Sequence, residues 1–350
     1  MNFILMAKRK DDPSFYASED IDYLVGDKEE LIHNIYLSLQ KIWGDVEFDS
    51  FEIGISWPIG EEYSIEFKHG VRDRLIEKIT TEFHKKHVSD YAQAYFLIDF
   101  KKEAIFLRLR PAFIQGNYCK YSREIAQTEH FCRHCMGKGC GECNHTGHVL
   151  SNSVEQILAK TIVPEFKSNQ LVLHGAGRED GDVLMLGKGR PFVLEVVCAT
   201  KTNVDLKKLE RDINASTKLI SVNSLKLVDE KQVALVKNSV HDKVYHAIVG
   251  CEEKINFEKI KTLLNKKIEV EQRTPKRVAK RRVDMIRDKE ITLLEIKEVN
   301  ECKFELKLLT SHGTYVKEFI SGDKERTKPS LSSLIKNKCV CKQLDVLEIV

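Results

Sequence analysis

His174-Gly-Ala-Gly177-Arg178-Glu179-Asp180-Gly-Asp182-Val-Leu-Met-Leu-Gly-Lys-Gly-Arg190-Pro191-Phe192 is the stretch on which the reading of this chain turns. The run Gln170 to His174 leads into it as a strand, and Phe192 to Cys198 leads out as another. Between them the sequence predicts a Gly-rich turn carrying one Arg beside two acids, then a second turn. Glycine supplies the backbone freedom that tight turns need. The stretch is not a phosphate loop: GxxxxGK[ST] is missing and the glycine spacing differs from GxGxxG. Taken alone, Arg next to Asp in a turn is most often a simple ion pair.

Outward from this turn the chain alternates strand and helix patterns. Lys28 to Trp43 places Leu31, Ile32, Ile35, Tyr36, Leu39 and Ile42 at helical spacing. Phe51 to Trp57 alternates like a strand before Pro58 and Gly60. Val71 to His87 reads as a second helix, and Tyr95 to Asp99 and Ala104 to Arg110 as strands, in an α/β unit that continues to about residue 125. Ser153-Val-Glu-Gln opens a capped helix. Val204 to Ser216 is expected to be helix, Val244 to Gly250, Ile291 to Val299 and Phe304 to Leu309 strands, Leu331 to Lys336 helix, and Leu344 to Val350 a last strand. Many strands with few helices between them imply an α+β fold with a mixed, largely antiparallel sheet.

Residues 130–148 lack apolar periodicity and are dominated by Gly, Cys and His, so they need a staple to fold. Cys132-Arg-His-Cys135-Met-Gly-Lys-Gly-Cys140-Gly-Glu-Cys143-Asn-His-Thr-Gly147 is two CxxCxGxG units back to back. Four thiolates at that spacing suit one closed tetrahedral, structural Zn²⁺ site; a redox pair or unliganded thiols are the alternatives. His134, His145 and His148 are read as surface residues. The repeat resembles the zinc region of DnaJ-type chaperones over fewer than about twenty residues. The other six Cys lack ligand spacing and are read as core or incidental thiols.

The composition, 31% charged and 42% hydrophobic, is that of a globular chain, and 350 residues suit about two domains. No apolar run approaches the roughly 18 residues of a membrane span. The start MNFILMAKRK has its apolar run before its charges, the reverse of a secretory signal. An intracellular chain, cytoplasmic or nuclear if the source is eukaryotic, and a monomer are expected. The net charge of +3 argues against a polyanionic partner, but the sum hides an asymmetry. Residues 1–100 hold 11 Lys+Arg against 20 Asp+Glu, a net of −9; the rest hold 45 against 33, a net of +12. A basic body does suit a polyanion.

Gly-Arg-x-Asp at Gly177 to Asp180 resembles the turn that carries the catalytic aspartate of pseudouridine synthases. The longer string looks like the archaeal and eukaryotic tRNA pseudouridine synthases with an N-terminal THUMP-type domain (the tenth eukaryotic family). Further segments agree in the family's order: Gly116 to Thr128, the Cys cluster, Lys243-Val-Tyr245, Arg273 to Arg282, Gly313 to Asp323, Arg326 to Leu331 and Leu344 to Val346. The likeness covers roughly residues 110–350 with specific motifs and the first hundred by pattern only. It implies a THUMP-like domain over 1–129, a zinc knuckle over 130–148 and a catalytic domain over 149–350. The chain departs from the family in lacking an N-terminal CxxC, in Asn117 and Leu184 where Arg is usual, and in Lys324-Glu325 before Arg326.

The resemblance implies isomerisation of uridine in the T arm of tRNA, at position 54, 55 or both, with no cofactor beyond one structural zinc. The N1–C1′ bond breaks, the uracil turns and C5 bonds to C1′; the target base must first leave its stack. Asp180 would be the carboxylate, attacking C1′ or taking the C2′ proton, with Asp182 its rival. Arg178 would fix the turn or hold the flipped base, Tyr245 would stack on the uracil and could accept the C5 proton through its hydroxyl or a water, and Lys317 would pair with Asp180 and keep it ionised. The run Arg273 to Arg287, with Lys276, Arg277, Lys280, Arg281 and Arg282, reads as a phosphate clamp, and Tyr315 and Arg326 join the expected RNA surface. Lys188, Arg190 and Lys328 are weaker candidates. The acidic front sits uneasily with tRNA binding, and Lys101, Lys102, Arg108, Arg110, Lys120 and Arg123 are the cations that could form a local patch. Two other readings compete: a non-catalytic RNA-binding or adaptor protein on the same fold, and a DnaJ-like zinc adaptor, which leaves everything after residue 150 unexplained.

Overall fold

A computed structural model describes residues 15–20, 27–56, 65–148, 150, 152–279 and 282–350. Trp57, Lys280 and Arg281 lie outside the described residues. The front of the chain contains β1 (Phe15–Asp20), α1 (Lys28–Trp43), β2 (Ser50–Ser56), α2 (Ile65–Phe83), β3 (Lys86–His87), β4 (Ala94–Asp99) and β5 (Ala104–Leu109). These strands form a five-stranded sheet in the order β1-β5-β4-β2-β3. The rest comprises β6 (Ala112–Lys120), α3 (Val154–Glu165), β7 (Gln170–Gly175), β8 (Leu184–Val197), α4 (Leu206–Ser216), β9 (Ile220–Val228), α5 (Lys231–Asn238), β10 (Lys243–Cys251) and α6 (Phe257–Lys261). Then follow β11 (Lys267–Arg273), β12 (Ile286–Asn300), β13 (Lys303–Thr310), α7 (Val316–Ser321), β14 (Thr327–Lys328), α8 (Leu331–Ile335) and β15 (Cys339–Ile349). The larger sheet has ten strands in the order β14-β11-β12-β13-β10-β15-β8-β6-β9, with β7 beside β8. This is the expected α+β fold with a mixed, largely antiparallel sheet.

In the front unit, α1 forms where its periodicity predicts. The Asp27 side chain accepts from the Glu30 N–H at 2.9 Å, satisfying an unpaired donor of the first turn. Ile32, Ile35 and Leu39 are fully buried in the core of the front unit, each worth about 1.5–3 kcal/mol of burial. The second helix departs from expectation at both ends. It starts at Ile65, before its apolar stripe of Val71, Leu75 and Ile79, and stops at Phe83 because His84 takes a positive φ of 52°. Lys86–His87, read as helix, instead pairs in parallel with Ser50–Phe51.

The sheets change between β5 and β6, at Arg110 and Pro111, well before the expected boundary at 129. Strand β6 is hydrogen-bonded between β8 and β9, so Gly116 to Lys120 belongs to the large sheet. The two units are tied by the Glu47 carboxylate, which accepts from the Thr202 and Asn203 N–H groups at 2.8 and 2.9 Å, and by Arg110–Glu230 at 3.1 Å. No described helix is long and apolar enough to cross a membrane.

The second turn expected around Gly187 is not a turn between strands. Gly187 and Gly189 adopt positive φ inside β8, and a Cβ on Gly189 would come within 2.7 Å of the Tyr118 carbonyl oxygen. The glycines let β8 kink while serving two neighbours. Its start runs parallel to β15 at Asp345↔Leu184, and its remainder runs antiparallel to β6 and β7. This short parallel pairing joins the two antiparallel halves of the sheet. The loop carrying Asp180 immediately precedes it. Asp345 holds the junction, accepting from the Leu184 N–H at 3.4 Å and pairing with Arg123 at 2.5 Å.

Candidate active site

The Asp180 turn is built from below by groups to which sequence reasoning gave another role or none. Glu179 and Arg190 form an ion pair at 2.8 Å with both side chains 1% exposed. Removal from water would be costly without further partners, and these are present. Tyr118 donates to both Glu179 oxygens at 2.9 and 3.0 Å, Gln127 Nε2 donates to the Tyr118 hydroxyl at 2.8 Å, and Arg190 Nη1 donates to the Ala176 carbonyl at 2.7 Å. Burial opposes the Arg190 charge, but Glu179 beside it overrides this and raises its pKa. Lys120 is fully buried, and its Nζ donates to the carbonyls of Ile125 at 2.9 Å, Asp180 at 3.2 Å and Gly181 at 2.8 Å. Arg123 donates to the Asp182 carbonyl at 2.8 Å. Each of these bonds ends on the turn or on a residue that braces it.

Above the turn, the side chains of Asp180 and Asp182 are 42% and 66% exposed. Lys317, at the start of α7, reaches both Asp182 oxygens at 2.9 Å and Asp180 at 3.3 Å. Arg277 Nη1 reaches both Asp180 oxygens at 3.2 Å. Burial raises the Asp182 pKa, but the Lys317 hydrogen bond and charge outweigh it and hold the carboxyl below its usual range. Burial likewise opposes the Lys317 ammonium, and the two aspartates more than restore it. Tyr245, on β10 between β13 and β15, is pushed up to about 12, by burial first. Arg190 opposes that rise, and Glu179 and Asp180 add to it. A phenol with that pKa is protonated at neutral pH.

Of the expected trio, Asp180 and Lys317 meet directly from two separate stretches, while Tyr245 on β10 feels Asp180 through charge. Arg178 points elsewhere: its guanidinium donates to Thr128 Oγ1 at 3.2 Å and lies against the His130 ring. The centre of the Tyr315 ring lies 5.9 Å from the Arg277 guanidinium carbon. The Tyr315 N–H donates to Gln272 Oε1 at 2.7 Å and its carbonyl accepts from Gln272 Nε2 at 3.0 Å, a clamp that sets the entry into α7.

The basic run divides into roles that its charge pattern does not separate. Arg273 and Arg326 both pair with Asp284, at 2.7 and 2.6 Å, and Arg326 also donates to the Thr274 carbonyl. Arg287 donates to Thr274 Oγ1 at 3.0 Å. Lys276 and Arg282 are exposed and, among the described residues, make no ion pair, so they are the free cations of the run. Arg281 lies outside the described residues. Lys188 is exposed on β8, and Lys328 is exposed and pairs with Glu325 at 3.2 Å. Arg190 is a correction: a side chain locked onto Glu179 beneath the turn cannot meet RNA. Of the six cations of the candidate patch near the front, Lys101 and Arg108 are exposed and make no ion pair among the described residues, and the other four are engaged. Lys120 is buried, Arg123 pairs with Asp345, Arg110 with Glu230, and Lys102 with Asp99 at 3.7 Å.

Cys132, Cys135, Cys140 and Cys143 bring their sulfurs within 4.8 Å of one another. The separations of 3.9, 3.8 and 3.7 Å match the edge of about 3.8 Å of a tetrahedron whose metal–sulfur bonds are about 2.3 Å. Backbone N–H groups of Gly139, Cys140 and Gly147 donate to the sulfurs at 3.1–3.3 Å, as thiolates require. Burial opposes ionisation of Cys143, but these donors pull it down to about 6. A Cβ on Gly147 would come within 2.4 Å of the Gly137 carbonyl oxygen, so that glycine is structurally required. The donor set fits a metal ion.

Residues 113–350 match the family described as Pus10, C-terminal. The chain is 44% identical over 250 residues to tRNA pseudouridine synthase Pus10 of Methanocaldococcus jannaschii, covering 71% of this chain and 55% of that one. It is 35% identical over 323 residues to the Korarchaeum cryptofilum protein of the same name, covering 87% and 86%. The Archaeoglobus fulgidus protein is 37% identical over 318 residues, covering 88% and 85%. This chain thus spans little more than half of the Methanocaldococcus relative and most of the other two. A crystal structure of a Cbf5-Nop10-Gar1 complex is similar at a TM-score of 0.32 and 14% identity, over 55% of this chain and 44% of that one, a likeness too slight to carry an argument. On the family match and the relatives together, the chain belongs to the Pus10 family.

Proposed function

We propose that this protein isomerises uridine to pseudouridine in the T arm of tRNA, at position 54, 55 or both. The observation that carries the reading is Asp180, 42% exposed and held by Lys317 and Arg277, next in the chain to the buried Glu179–Arg190 pair. The relatives' shared name, tRNA pseudouridine synthase, supports it.

The chemistry needs a carboxylate fixed beside the ribose of an unstacked nucleotide. Asp180 provides it, either by bonding to C1′ as the N1–C1′ bond breaks or by taking the C2′ proton to give a glycal. The freed uracil turns against Tyr245, C5 bonds to C1′ as the Asp180–C1′ bond breaks or as the glycal regains its C2′ proton, and the C5 proton leaves to a base. The phenol, protonated at neutral pH, serves as a stacking face and hydrogen-bond donor. Lys276, Arg282 and Arg281 take phosphates, so binding weakens with salt. The four cysteines hold one structural Zn²⁺, which cross-links residues 130–148 and supplies no step of the reaction.

Incubation with unmodified tRNA transcript, followed by chemical mapping of pseudouridine, tests the reading. Product in the T arm that disappears with Asp180→Ala is expected. Product that survives this substitution would overturn the assignment of Asp180. No product from the unsubstituted chain would favour an RNA-binding protein without catalysis.

A further inference from the structure

Arg277 sits in a basic run that reads as a phosphate clamp, yet its 41% exposed side chain is engaged by two carboxylates. Its Nε donates to Glu318 Oε1 at 2.7 Å while Nη1 meets Asp180 at 3.2 Å. Its guanidinium carbon lies 5.9 Å from the centre of the Tyr315 ring, which limits its swing. Glu318, on α7 next to Lys317, is 6% exposed, and its Oε2 is buried with no hydrogen-bond partner. A buried carboxylate with one oxygen unpaired is costly to keep. Arg277 is its one ion-pair partner among the described residues.

Lys317 does not do the same work for Asp180. It lies at 2.9 Å from both Asp182 oxygens and only 3.3 Å from one Asp180 oxygen. With Lys317 engaged chiefly by Asp182, the second cation decides where the Asp180 carboxylate stands. The segment that carries Arg277 is pinned for that purpose: the Lys276 N–H donates to Asp323 Oδ2 at 2.9 Å, and Arg326 holds the Thr274 carbonyl at 2.7 Å. A planar guanidinium can bridge two carboxylates in a fixed direction, which an ammonium cannot reproduce.

We propose that Arg277 is a positioning residue for Asp180, aimed by the buried Glu318, and not one of the phosphate contacts of the basic run. The inference rests on the pseudouridine-synthase reading above. It separates the run by function: Lys276 and Arg282 meet the backbone of the RNA, and Arg277 bridges Asp180 and Glu318.

The test uses the full chain with Arg277→Gln, Arg277→Lys, Glu318→Gln and the double substitution Arg277→Gln/Glu318→Gln. Single-turnover rates are measured at saturating tRNA transcript, and tRNA affinity is measured across a salt series. Loss of the bridge should lower the saturated rate about 10- to 100-fold in each single variant, the scale on which small misplacements act. Affinity and salt slope should stay at the unsubstituted values, and the double variant should be no slower than the slower single, as for two members of one device. Arg277→Lys should remain slow, although it keeps the charge. Glu318→Gln is the sharpest arm, because a buried side chain cannot meet phosphate. An unaltered saturated rate in Glu318→Gln would overturn the proposal, as would Arg277→Lys at full rate. So would an Arg277→Gln variant that loses only affinity, with a salt slope lower by about one. An unsubstituted chain that makes no pseudouridine would instead overturn the functional reading, and this inference with it.

Discussion

Two charged networks meet at the Asp180 turn, one beneath it and one above, and adjacent residues belong to different ones. Glu179 points down to Arg190 and Tyr118, out of water and with its oxygens bonded. Asp180 points up to Lys317 and Arg277, with its side chain 42% exposed. Beneath, the ions are placed where breaking one bond strands a buried charge. Above, they are placed where water and substrate can reach them. The comparison shows how one turn can be rigid and reactive together: the lower network holds the backbone so that the upper one can present a carboxylate.

The largest expected effect belongs to the upper network and to activity. Asp180→Asn should lower the rate of pseudouridine formation by at least about 10³-fold, measured by single-turnover mapping. Its unfolding free energy should move by no more than about 1 kcal/mol, because half-exposed ion pairs contribute little. A large loss of stability would break the comparison, since the upper network would then be holding the fold.

The lower network should respond in the opposite way. Arg190→Leu strands Glu179 in an apolar site, and urea unfolding should show a loss of about 3–5 kcal/mol. Lys120→Met removes the donor shared by three carbonyls and should cost about 1–3 kcal/mol. A variant at Arg190 that unfolds normally but loses tRNA affinity would restore the RNA-contact role excluded here.

Lys243 sharpens the comparison through pH. Burial first, and the charge of Arg190 second, bring its pKa down from 10.5 to about 8. Between those values the unfolded chain binds the proton and the folded chain does not, so stability contributed by this group rises with pH across that window. Below pH 8 both states hold the proton, and the folded state carries the full penalty. The rise should be on the order of 1–3 kcal/mol. It should vanish in Lys243→Met when unfolding is compared at pH 7 and pH 10.

The smallest effect on the turn should come from metal removal. Chelation should abolish hydrogen-exchange protection over residues 130–148, because that segment has sulfur ligands where other segments have a core. The Glu179–Arg190 network should keep its protection, since its bonds do not pass through the knuckle. Arg178, which leans on Thr128 and His130, is the one described contact through which the loss could reach the turn.

The sequence alone determined what is local. Helix α1 follows from an apolar period and a cap, the cysteine tetrahedron from two repeats of CxxCxGxG, and the mostly antiparallel sheet from a surplus of strands over helices. Some local signal went unused: Lys267–Arg273 buries alternate residues Ile268, Val270 and Gln272, a legible strand that the basic residues after it obscured. Helix α7, one short turn and a half, gave almost no periodic signal, and β9 is interrupted by Ser and Asn. The assignment of Asp180, Lys317 and Tyr245 to one site came from family motifs, since they lie up to 137 residues apart in the chain. Only the tertiary structure decided which charges face water. Glu179 and Asp180 are indistinguishable as neighbouring acids, and Arg190, Arg277 and Arg282 as basic residues. Their roles depend on what β6, β8, β15 and α7 bring against them, because the cost of a charge is set by its surroundings and not by its place in the chain.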